Sequence, residues 1–293
     1  MAQGVSQTDQ SVTRAVAENL AARRTSVCQM AKTARCKVVP VDMGIAGAPV
    51  PGVIPRRIAA GTADFTQGPA MTRAQAVEAI AAGIELVRAQ KAQGCQLLAT
   101  GEMGIGNTTT SSAVLAALTG AAVEQVTGRG GGLTDQGFAT KKRVIESALA
   151  LHRPDPEDPL DVLSKVGGLD LAAMTGAFLG CALHRIPGVV DGFISIVAAL
   201  CACRLCPHVR EYLFLSHASY EVGYQLAARE LGLDACLLLE MRLGEGSGCP
   251  LAFQILKGAC AVMCGMGTFQ EAAIDDDYLE EIRAADSYTV VLP

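Results

Sequence analysis

A run of ten residues, 101–110, reads Gly-Glu-Met-Gly-Ile-Gly-Asn-Thr-Thr-Thr and combines glycines, a carboxylate and hydroxyl side chains. The glycines allow main chain to approach a ligand without a Cβ atom in the way. The Asn and Thr residues can cap a following helix and direct N–H and hydroxyl groups at an anion. Glu102 follows an apolar, strand-like segment (95–100), and open α/β sheets place their chemistry at that end of a strand. We predict a phosphate cradle with an acid beside it, as an enzyme handling phosphoribosyl groups needs.

Two more glycine-rich turns occur, at 127–132 and 242–248. Each follows an apolar stretch and precedes a predicted helix, and the last places Glu245 between two glycines. None of the three turns contains Gly-x-Gly-x-x-Gly, and no Gly-Lys-Ser/Thr ends the first, so neither the dinucleotide fingerprint nor the P-loop fits. The turns therefore predict a different nucleotide site that carries two carboxylates.

The elements around these turns alternate between helix and strand. We predict strands at 37–43, 95–100, 187–192, 212–216 and 235–239, and helices at 11–31, 71–90, 111–118, 135–151, 166–183, 193–206 and from about 250. Such alternation implies parallel strands joined by right-handed crossovers. We predict an α/β fold, a three-layer, Rossmann-like, mainly parallel sheet with flanking helices.

Composition excludes several classes of partner. The net charge of −5 argues against nucleic acid and anionic membranes, which require basic surface. Apolar residues make up 50% of the chain, yet its charge-free apolar runs are shorter than the roughly 20 residues that span a bilayer. We read these runs as core helices. The first residues lack a basic-then-apolar signal pattern, which predicts a cytoplasmic protein.

The 11 cysteines include one metal-like spacing, Cys201, Cys203 and Cys206 followed by His208. On the helix predicted there, the thiols point in different directions and do not converge. We interpret them as small buried apolar side chains and predict no metal site. An iron–sulfur or zinc protein using this cluster is the weakest of three functional hypotheses.

Several motifs resemble a known family when taken in chain order. They are Gly-Glu-Met-Gly-Ile-Gly-Asn-Thr-Thr at 101–109, Gly-Arg-Gly at 128–130, Val-Gly-Gly at 166–168, Asp-Gly-Phe-Ile at 191–194, Ser-His-Ala-Ser at 216–219 and Met-Arg-Leu-Gly-Glu-Gly-Ser-Gly at 241–248. Together they resemble the nicotinate-nucleotide:dimethylbenzimidazole phosphoribosyltransferases, from about residue 38 to residue 271. That resemblance implies transfer of the phosphoribosyl group of nicotinate mononucleotide to an aromatic base, giving α-ribazole 5′-phosphate for the lower ligand of cobalamin.

By this resemblance Glu245 is the catalytic base that takes the proton of the incoming base, and Glu102 is a second acid near it. An apolar setting would raise the pKa of Glu245 and suit proton abstraction, whereas Arg242 would lower that pKa if it pointed inward. Substrate binding is assigned to the remaining motif residues, which are Gly104, Gly106, Asn107, Thr108, Gly128, Arg129, Gly130, Lys141, Gly167, Gly168, Asp191 and His217.

These binding residues have different expected roles. Gly104, Gly106, Asn107 and Thr108 would contact phosphate or ribose at a helix N-terminus, and Lys141 would be the cationic phosphate partner. The pair at 167–168 would let the nicotinate ring approach the main chain. For Asp191 and His217 a buried structural role is an equal alternative.

The sequence departs from the family mainly in its first part. The chain begins close to a Gly-Val-Ser motif, before which family members carry additional helices and a strand. Ala15 stands where a pocket glutamine is expected, and the family's Gly-Gly-Ala is replaced around Arg23 and Thr25. Asp170 replaces a glutamate and Tyr224 a histidine. A truncated chain, a paralogue with another acceptor base and a degenerate protein are three possible accounts.

The predicted organisation is a large catalytic domain at 30–262 and a small helical domain from residues 1–29 and 263–293. The resemblance implies a homodimer and small-molecule substrates, with no cofactor and no metal. The alternative function is a catalytically impaired paralogue that binds a nucleotide or riboside. Retention of both Glu102 and Glu245 argues against it, since a binding protein needs no proton acceptor.

Overall fold

The computed structural model describes residues 2–275 and residue 280. The helices are α1 (Ser11–Ala21), α2 (Ser26–Ala34), α3 (Arg73–Ala92), α4 (Asn107–Thr119), α5 (Val123–Val126), α6 (Asp135–His152), α7 (Pro159–Val166), α8 (Leu169–Leu183), α9 (Phe193–Leu205), α10 (Tyr224–Leu231) and α11 (Cys249–Gly265), with a 3₁₀ helix at Pro207–Tyr212. The strands are β1 (Val41–Asp42), β2 (Ile54–Pro55), β3 (Leu98–Ala99), β4 (Gly188–Val190), β5 (Leu213–His217) and β6 (Ala235–Leu237).

The main sheet has four parallel strands in the order β3-β4-β5-β6. Its registers pair Leu98 with Gly188, Gly188 with Leu213, and Leu215 with Ala235. Because the strands are parallel, their carboxyl ends lie at one edge, from which the first glycine-rich turn, Asp191 and His217 emerge. The predicted α/β class with a parallel sheet and flanking helices is confirmed.

Helix α3 packs tightly against α8 through glycine. A Cβ atom on Gly176 of α8 would lie 1.9 Å from the Ile80 carbonyl oxygen of α3, and one on Gly83 would lie 2.0 Å from the Ala173 oxygen. Helix α3 begins as the sequence predicts. The Thr72 side chain accepts a hydrogen bond from the Gln75 N–H, and the Gln75 side chain accepts one from the Thr72 N–H, which forms a capping box. The Ala- and Gly-rich composition is thus used for close helix contact.

Three predicted elements differ in the structure. The helix predicted at 11–31 is two helices, because Arg23 adopts a left-handed φ of +60° and Thr25 is extended before α2. The strand predicted at 37–43 is reduced to β1, which pairs with β2 in a separate two-stranded sheet. The helix predicted at 166–183 begins three residues later, as α8 at Leu169, because Gly167 and Gly168 are extended, and Val166 instead ends α7.

Of the described residues, those up to Phe253 form one compact unit, and those from Gln254 onward belong to a second. The predicted division into a domain at 30–262 and a small domain from both chain ends remains a prediction, and residues 276–279 and 281–293 of that small domain lie outside the described residues. In the described part of the chain, no helix has both the length and the apolar character to cross a membrane.

Candidate active site

The first glycine-rich turn leads from β3 into α4. Gly106 is the N-cap of α4 with a φ of +96°, a conformation that strains any residue with a Cβ. The Ile105 N–H donates to the Thr13 hydroxyl of α1 at 3.0 Å, so a helix from the start of the chain is fastened to the turn. The predicted strand–turn–helix arrangement is present.

Glu102 lies inside a group of acids. Its Oε2 accepts a hydrogen bond from the Asn107 amide nitrogen, which also donates to Asp170 Oδ2 at 2.8 Å. Burial raises the pKa of Glu102 to about 8; the Asn107 bond opposes this, and the charges of Asp170, Asp191 and Glu245 add to it. Glu102 is therefore mainly a neutral carboxylic acid at pH 7.

Glu245 is held by main chain next to Glu102. Its N–H donates to the Glu102 carbonyl oxygen at 3.1 Å, and its φ is +60°, between Gly244 at +86° and Gly246 at +82°. Its carboxylate accepts from the Val27 N–H at 3.4 Å, at the N-terminal end of α2. The first and third glycine-rich turns thus bring the two predicted acids together.

Arg242 does not turn toward Glu245. It is exposed, and its guanidinium lies 5.1 Å from the centre of the Tyr220 ring, a cation–π distance. Its charge helps to lower the pKa of Glu221, which burial raises overall. The arginine therefore belongs to the outer surface of the third turn.

Asp191 fixes the third turn to the sheet. It is buried, and its two carboxylate oxygens accept from the N–H groups of Gly246 at 3.0 Å and Gly248 at 2.9 Å. Burial raises the pKa of Asp191 to about 6, against the effect of these bonds. His217 lies beside it, with Nδ1 3.8 Å from Asp191 Oδ1 and 3.0 Å from the Ser216 hydroxyl oxygen. The structural alternative for Asp191 has direct support in these contacts, and burial lowers the pKa of His217.

Lys141 joins the first and second glycine-rich turns. Its ammonium group donates to the Thr108 hydroxyl at 2.8 Å and to the Gly128 carbonyl oxygen at 3.0 Å, and the residue is fully buried. Burial lowers the pKa of Lys141 to about 8, while the charge of Glu221 raises it. A Cβ on Gly130 would lie 2.9 Å from the Thr108 hydroxyl oxygen, so this close approach depends on glycine.

Arg129 and the glycine pair at 167–168 have local roles in the described structure. Arg129 donates to the Leu133 carbonyl oxygen at 3.0 Å and pairs with Asp135 at 2.5 Å, within its own turn. A Cβ on Gly168 would lie 2.3 Å from Asp170 Oδ1. These contacts position the turn and the start of α8.

A cavity of about 970 Å³ opens beside the acids. The predicted site residues that line it are Glu102, Gly104, Gly106, Asn107, Gly168 and Glu245. Those outside its lining are Thr108, Gly128, Arg129, Gly130, Lys141, Gly167, Asp191 and His217. Part of its wall comes from α1 and α2, through residues such as Thr13, Ala17 and Val27. Ala15, at the position expected for a pocket glutamine, is exposed and is not in the lining.

Sequence reasoning missed four contributors to this region. They are Thr13, the Val27 N–H, Glu221 and the contact of Asp170 with Asn107. Asp170 stood out only as a departure from the family, and its contact with Asn107 joins the first turns of α4 and α8. No local pattern indicates such a contact.

The cysteine cluster lies where the sequence predicts a helix. Cys201 and Cys203 belong to α9, with Cys201 buried. Burial raises the pKa of both thiols to about 12. Among residues 2–275 and 280, no three His, Cys, Asp or Glu side chains are grouped so that they could hold a metal ion.

The parallel sheet, with two acids on glycine-rich turns at its carboxyl edge, defines an α/β enzyme. A family model described as phosphoribosyltransferase matches residues 1–274. The nicotinate-nucleotide–dimethylbenzimidazole phosphoribosyltransferase of Clostridium perfringens (strain ATCC 13124) is 48% identical over 290 residues, 99% of this chain and 80% of that protein. The enzyme of the same name from Geobacter sulfurreducens is 46% identical over 279 residues, 94% of this chain and 79% of that protein.

Solved structures give the same result. The crystal structure of CobT from Thermus thermophilus has a TM-score of 0.89 and 40% identity, and the match covers 94% of this chain and 82% of that chain. This chain belongs to the family of these phosphoribosyltransferases. The resemblance inferred from the motifs is confirmed.

Proposed function

We propose that this chain transfers the phosphoribosyl group of nicotinate mononucleotide to an aromatic base, 5,6-dimethylbenzimidazole or a similar one, for assembly of the nucleotide loop of cobalamin. The products are α-ribazole 5′-phosphate and nicotinate. The observation that carries the proposal is the main-chain bond between Glu245 and Glu102, which holds two acids side by side at one large cavity. The similarity to enzymes of this name over nearly the full chain supports it.

Glu245 is the proposed proton acceptor. A ring nitrogen of the incoming base forms a bond to the anomeric carbon of ribose as the bond to nicotinate breaks, with inversion from β to α. The proton on the azole passes to the Glu245 carboxylate, so atoms and charge balance. A carboxylate fixed by its backbone costs little reorganisation in this step.

Glu102 is the proposed partner acid. With a pKa of about 8 it keeps its proton at neutral pH, and a neutral carboxyl group can donate an O–H to a nitrogen or oxygen of the bound base. A protonated Glu102 can therefore hold the azole through a hydrogen bond while the azole proton passes to Glu245.

The nucleotide phosphate is proposed to bind where the first and second glycine-rich turns meet. The helix dipole at the N-terminus of α4 favours an anion there, and Lys141 supplies a cation beside Thr108 and Gly128. The remaining predicted binding residues, at 129–130, 167–168, 191 and 217, shape the turns around this nucleotide.

We also propose a cytoplasmic homodimer. All 11 cysteines are free thiols, which is typical of a reducing compartment. Two neighbouring segments, joined by a hydrogen bond from the Tyr220 N–H to the Met241 carbonyl oxygen, carry large apolar side chains that are exposed. These side chains are Tyr220, Val222, Leu238, Leu239 and Leu243. An exposed apolar surface of this kind favours association.

The decisive experiment follows nicotinate release and riboside phosphate formation from nicotinate mononucleotide with dimethylbenzimidazole, benzimidazole, adenine or p-cresol. We expect product with at least one base and a kcat about 10²–10⁴-fold lower in Glu245→Gln, because the proton acceptor is lost. Glu240→Gln is the matched control, since Glu240 is exposed and also left-handed, with a φ of +52°.

Nucleotide binding without product from any base would contradict the proposal. That result would favour the alternative of a nucleotide- or riboside-binding protein. Equal loss of activity in Glu240→Gln and Glu245→Gln would contradict the assignment of the base.

A further inference from the structure

The amide of Asn107 is a bridge between two carboxyl groups. Its single nitrogen donates to Glu102 Oε2 and to Asp170 Oδ2, the latter at 2.8 Å. An amide nitrogen carries two N–H donors, whereas its oxygen only accepts. The nitrogen faces both acids, because the flipped amide would place its oxygen against the Asp170 carboxylate oxygen. The orientation of Asn107 is therefore set by the two acids.

Asp170 is the rigid end of this bridge. It lies in the first turn of α8, where its Oδ1 accepts from the Leu171 N–H at 2.9 Å and the helix dipole favours negative charge. It is enclosed by glycines, since a Cβ on Gly168 would lie 2.3 Å from Oδ1 and one on Gly104 would lie 3.6 Å from Oδ2. The bonds from the Leu171 N–H and the Asn107 amide hold the carboxylate in place.

Glu102 is the other end of the bridge, and it lies between Asn107 and the third glycine-rich turn. A Cβ on Gly244 would lie 2.6 Å from Glu102 Oε1, so the other carboxyl oxygen faces the turn that carries Glu245. Glu102, Asn107 and Asp170 all line the cavity. The placement of Glu102 against a ligand thus depends on a residue 63 positions from Asn107.

We propose that Asp170 is a positioning residue, which acts through Asn107 to fix the orientation and the protonation state of Glu102 at the incoming base. The proposal rests on the proposed transferase function, because it concerns how Glu102 meets that base. Asp170 itself needs no contact with substrate for this role. It orients the amide, and its negative charge favours the protonated form of Glu102.

The groups that act electrostatically on Glu102 are Asp170 from α8, Asp191 from the end of β4 and Glu245 from the third turn. All three are acids and favour the protonated form. Burial also raises the pKa of Asp170 itself, and the Asn107 bond opposes this. Removal of the Asp170 charge should therefore lower the pKa of Glu102.

The test compares Asp170→Asn, which keeps the shape and one acceptor oxygen without the charge, with Asp170→Ala, which also removes the bond. Asp161→Asn is the matched control, because Asp161 lies in the first turn of the neighbouring α7 and pairs with Lys165 at 2.8 Å. Glu102 is titrated directly by its infrared carboxyl band, assigned by its absence in Glu102→Gln. The pH profile of kcat is measured in parallel.

We expect Asp170→Asn to shift the Glu102 titration to lower pH and Asp161→Asn to leave it unchanged. Asp170→Ala should lower kcat by about 10–100-fold, since a misplacement of about 1 Å has an effect of this size, with a smaller change in KM for the nucleotide. In a protein that already carries Glu102→Gln, neither Asp170→Asn nor Asp170→Ala should lower kcat further. An unchanged Glu102 titration in Asp170→Asn, or the same loss of kcat in both backgrounds, would overturn the proposal.

The infrared titration keeps two failures distinct. It requires no turnover, so a wild-type chain without transferase activity refutes the proposed function while the effect of Asp170 on Glu102 is still measured. If Asp170→Ala does not fold, the nearly isosteric Asp170→Asn decides the matter through the titration.

Discussion

Lys141 is a buried lysine that offers a ligand one remaining donor. Two of its three N–H groups are engaged by Thr108 and Gly128. Its pKa of about 8 makes it a cation below that pH and increasingly neutral above it. If it binds the nucleotide phosphate, KM for nicotinate mononucleotide should rise as the pH passes above about 8.

Substitution should reveal the same interaction. We expect Lys141→Met to raise KM for the nucleotide by about 10–100-fold, the equivalent of about 1.5–3 kcal/mol for a charged hydrogen bond, and to abolish the rise above pH 8. Lys142→Met is the control, because the ammonium group of Lys142 lies 4.9 Å from the centre of the Phe138 ring, whereas that of Lys141 bonds to Thr108 and Gly128. Steady-state kinetics from pH 6.5 to 9.5 measure both, and an unchanged KM in Lys141→Met would contradict the phosphate role.

Glu102 should reduce the stability of the fold as pH rises. Its pKa is near 4.5 in an ordinary setting and about 8 here, so the folded state holds a proton that the unfolded state releases between these values. The free energy of unfolding contributed by this group therefore falls from about pH 4.5 to about pH 8. Glu102→Gln cannot ionise, and we expect it to be more stable than wild type at pH 9 by about 1–3 kcal/mol.

Urea unfolding of both proteins at pH 4.5 and pH 9 measures this difference. The gain should be much smaller at pH 4.5, where Glu102 is protonated in the folded state and about half protonated in the unfolded state. A gain of equal size at both pH values would show that the charge is not its cause. If this result is obtained, Glu102 exchanges stability for the catalytic role that we propose.

For single residues, the sequence indicates which residue types form the site better than it indicates their contacts. The run at 101–110 correctly indicates a turn between strand and helix with an acid at its start. It assigns Asn107 to phosphate or ribose, whereas the structure places the amide between Glu102 and Asp170. Asp170 comes from a different helix, and only tertiary packing determines that contact.

Among the elements, the α3–α8 contact depends on the absence of side chains. A Cβ on Gly176 would overlap the Ile80 carbonyl oxygen, and main-chain atoms on a buried helix cannot easily yield. We expect Gly176→Ala to lower the free energy of unfolding by about 1–3 kcal/mol or more, despite the higher helix propensity of alanine. Gly258→Ala is the control, because Gly258 is exposed in α11 with open space at its Cβ.

Chemical denaturation distinguishes the two variants by sign. Gly258→Ala should be neutral or stabilising by up to about 1 kcal/mol, as expected for glycine in an exposed helix. If Gly176→Ala were equally neutral, the helices would have to be able to move apart, and the close packing would not determine their spacing.

Elements were predicted well where a periodic pattern is reinforced by a cap. Helices α3 and α6 begin at Thr72 and Thr134 caps that accept the expected N–H groups. Four of the five predicted strands are shorter than predicted, because apolar runs continue beyond the residues that form ladder bonds, whereas β5 has the predicted length. The break between α1 and α2 rests on a left-handed Arg23, a conformation that arginine seldom adopts and that no spacing indicates.

For the whole molecule, association is the open prediction. We expect a mass near twice the 30.3 kDa of one chain in sedimentation at micromolar concentration. Leu238→Asp should shift this toward one chain mass, because Leu238 is 83% exposed in the segment that we propose for contact. Leu183→Asp introduces the same charge at a leucine that is 67% exposed at the end of α8, and should leave the mass unchanged. A wild-type monomer at all concentrations would refute the dimer.

Two separate parts of the chain form the wall of the cavity, and this affects how substitutions in each part act on the proposed site. Helices α1 and α2 supply one side, while the acids stand on turns anchored to the main sheet by Asp191 and by the Glu102–Glu245 bond. Apart from Thr13 and the Val27 main chain, which bond to the first turn and to Glu245, residues of α1 and α2 can therefore change the space for an acceptor without displacing the acids that we propose move its proton. We expect acceptor choice and proton chemistry to be separable in variants of this chain.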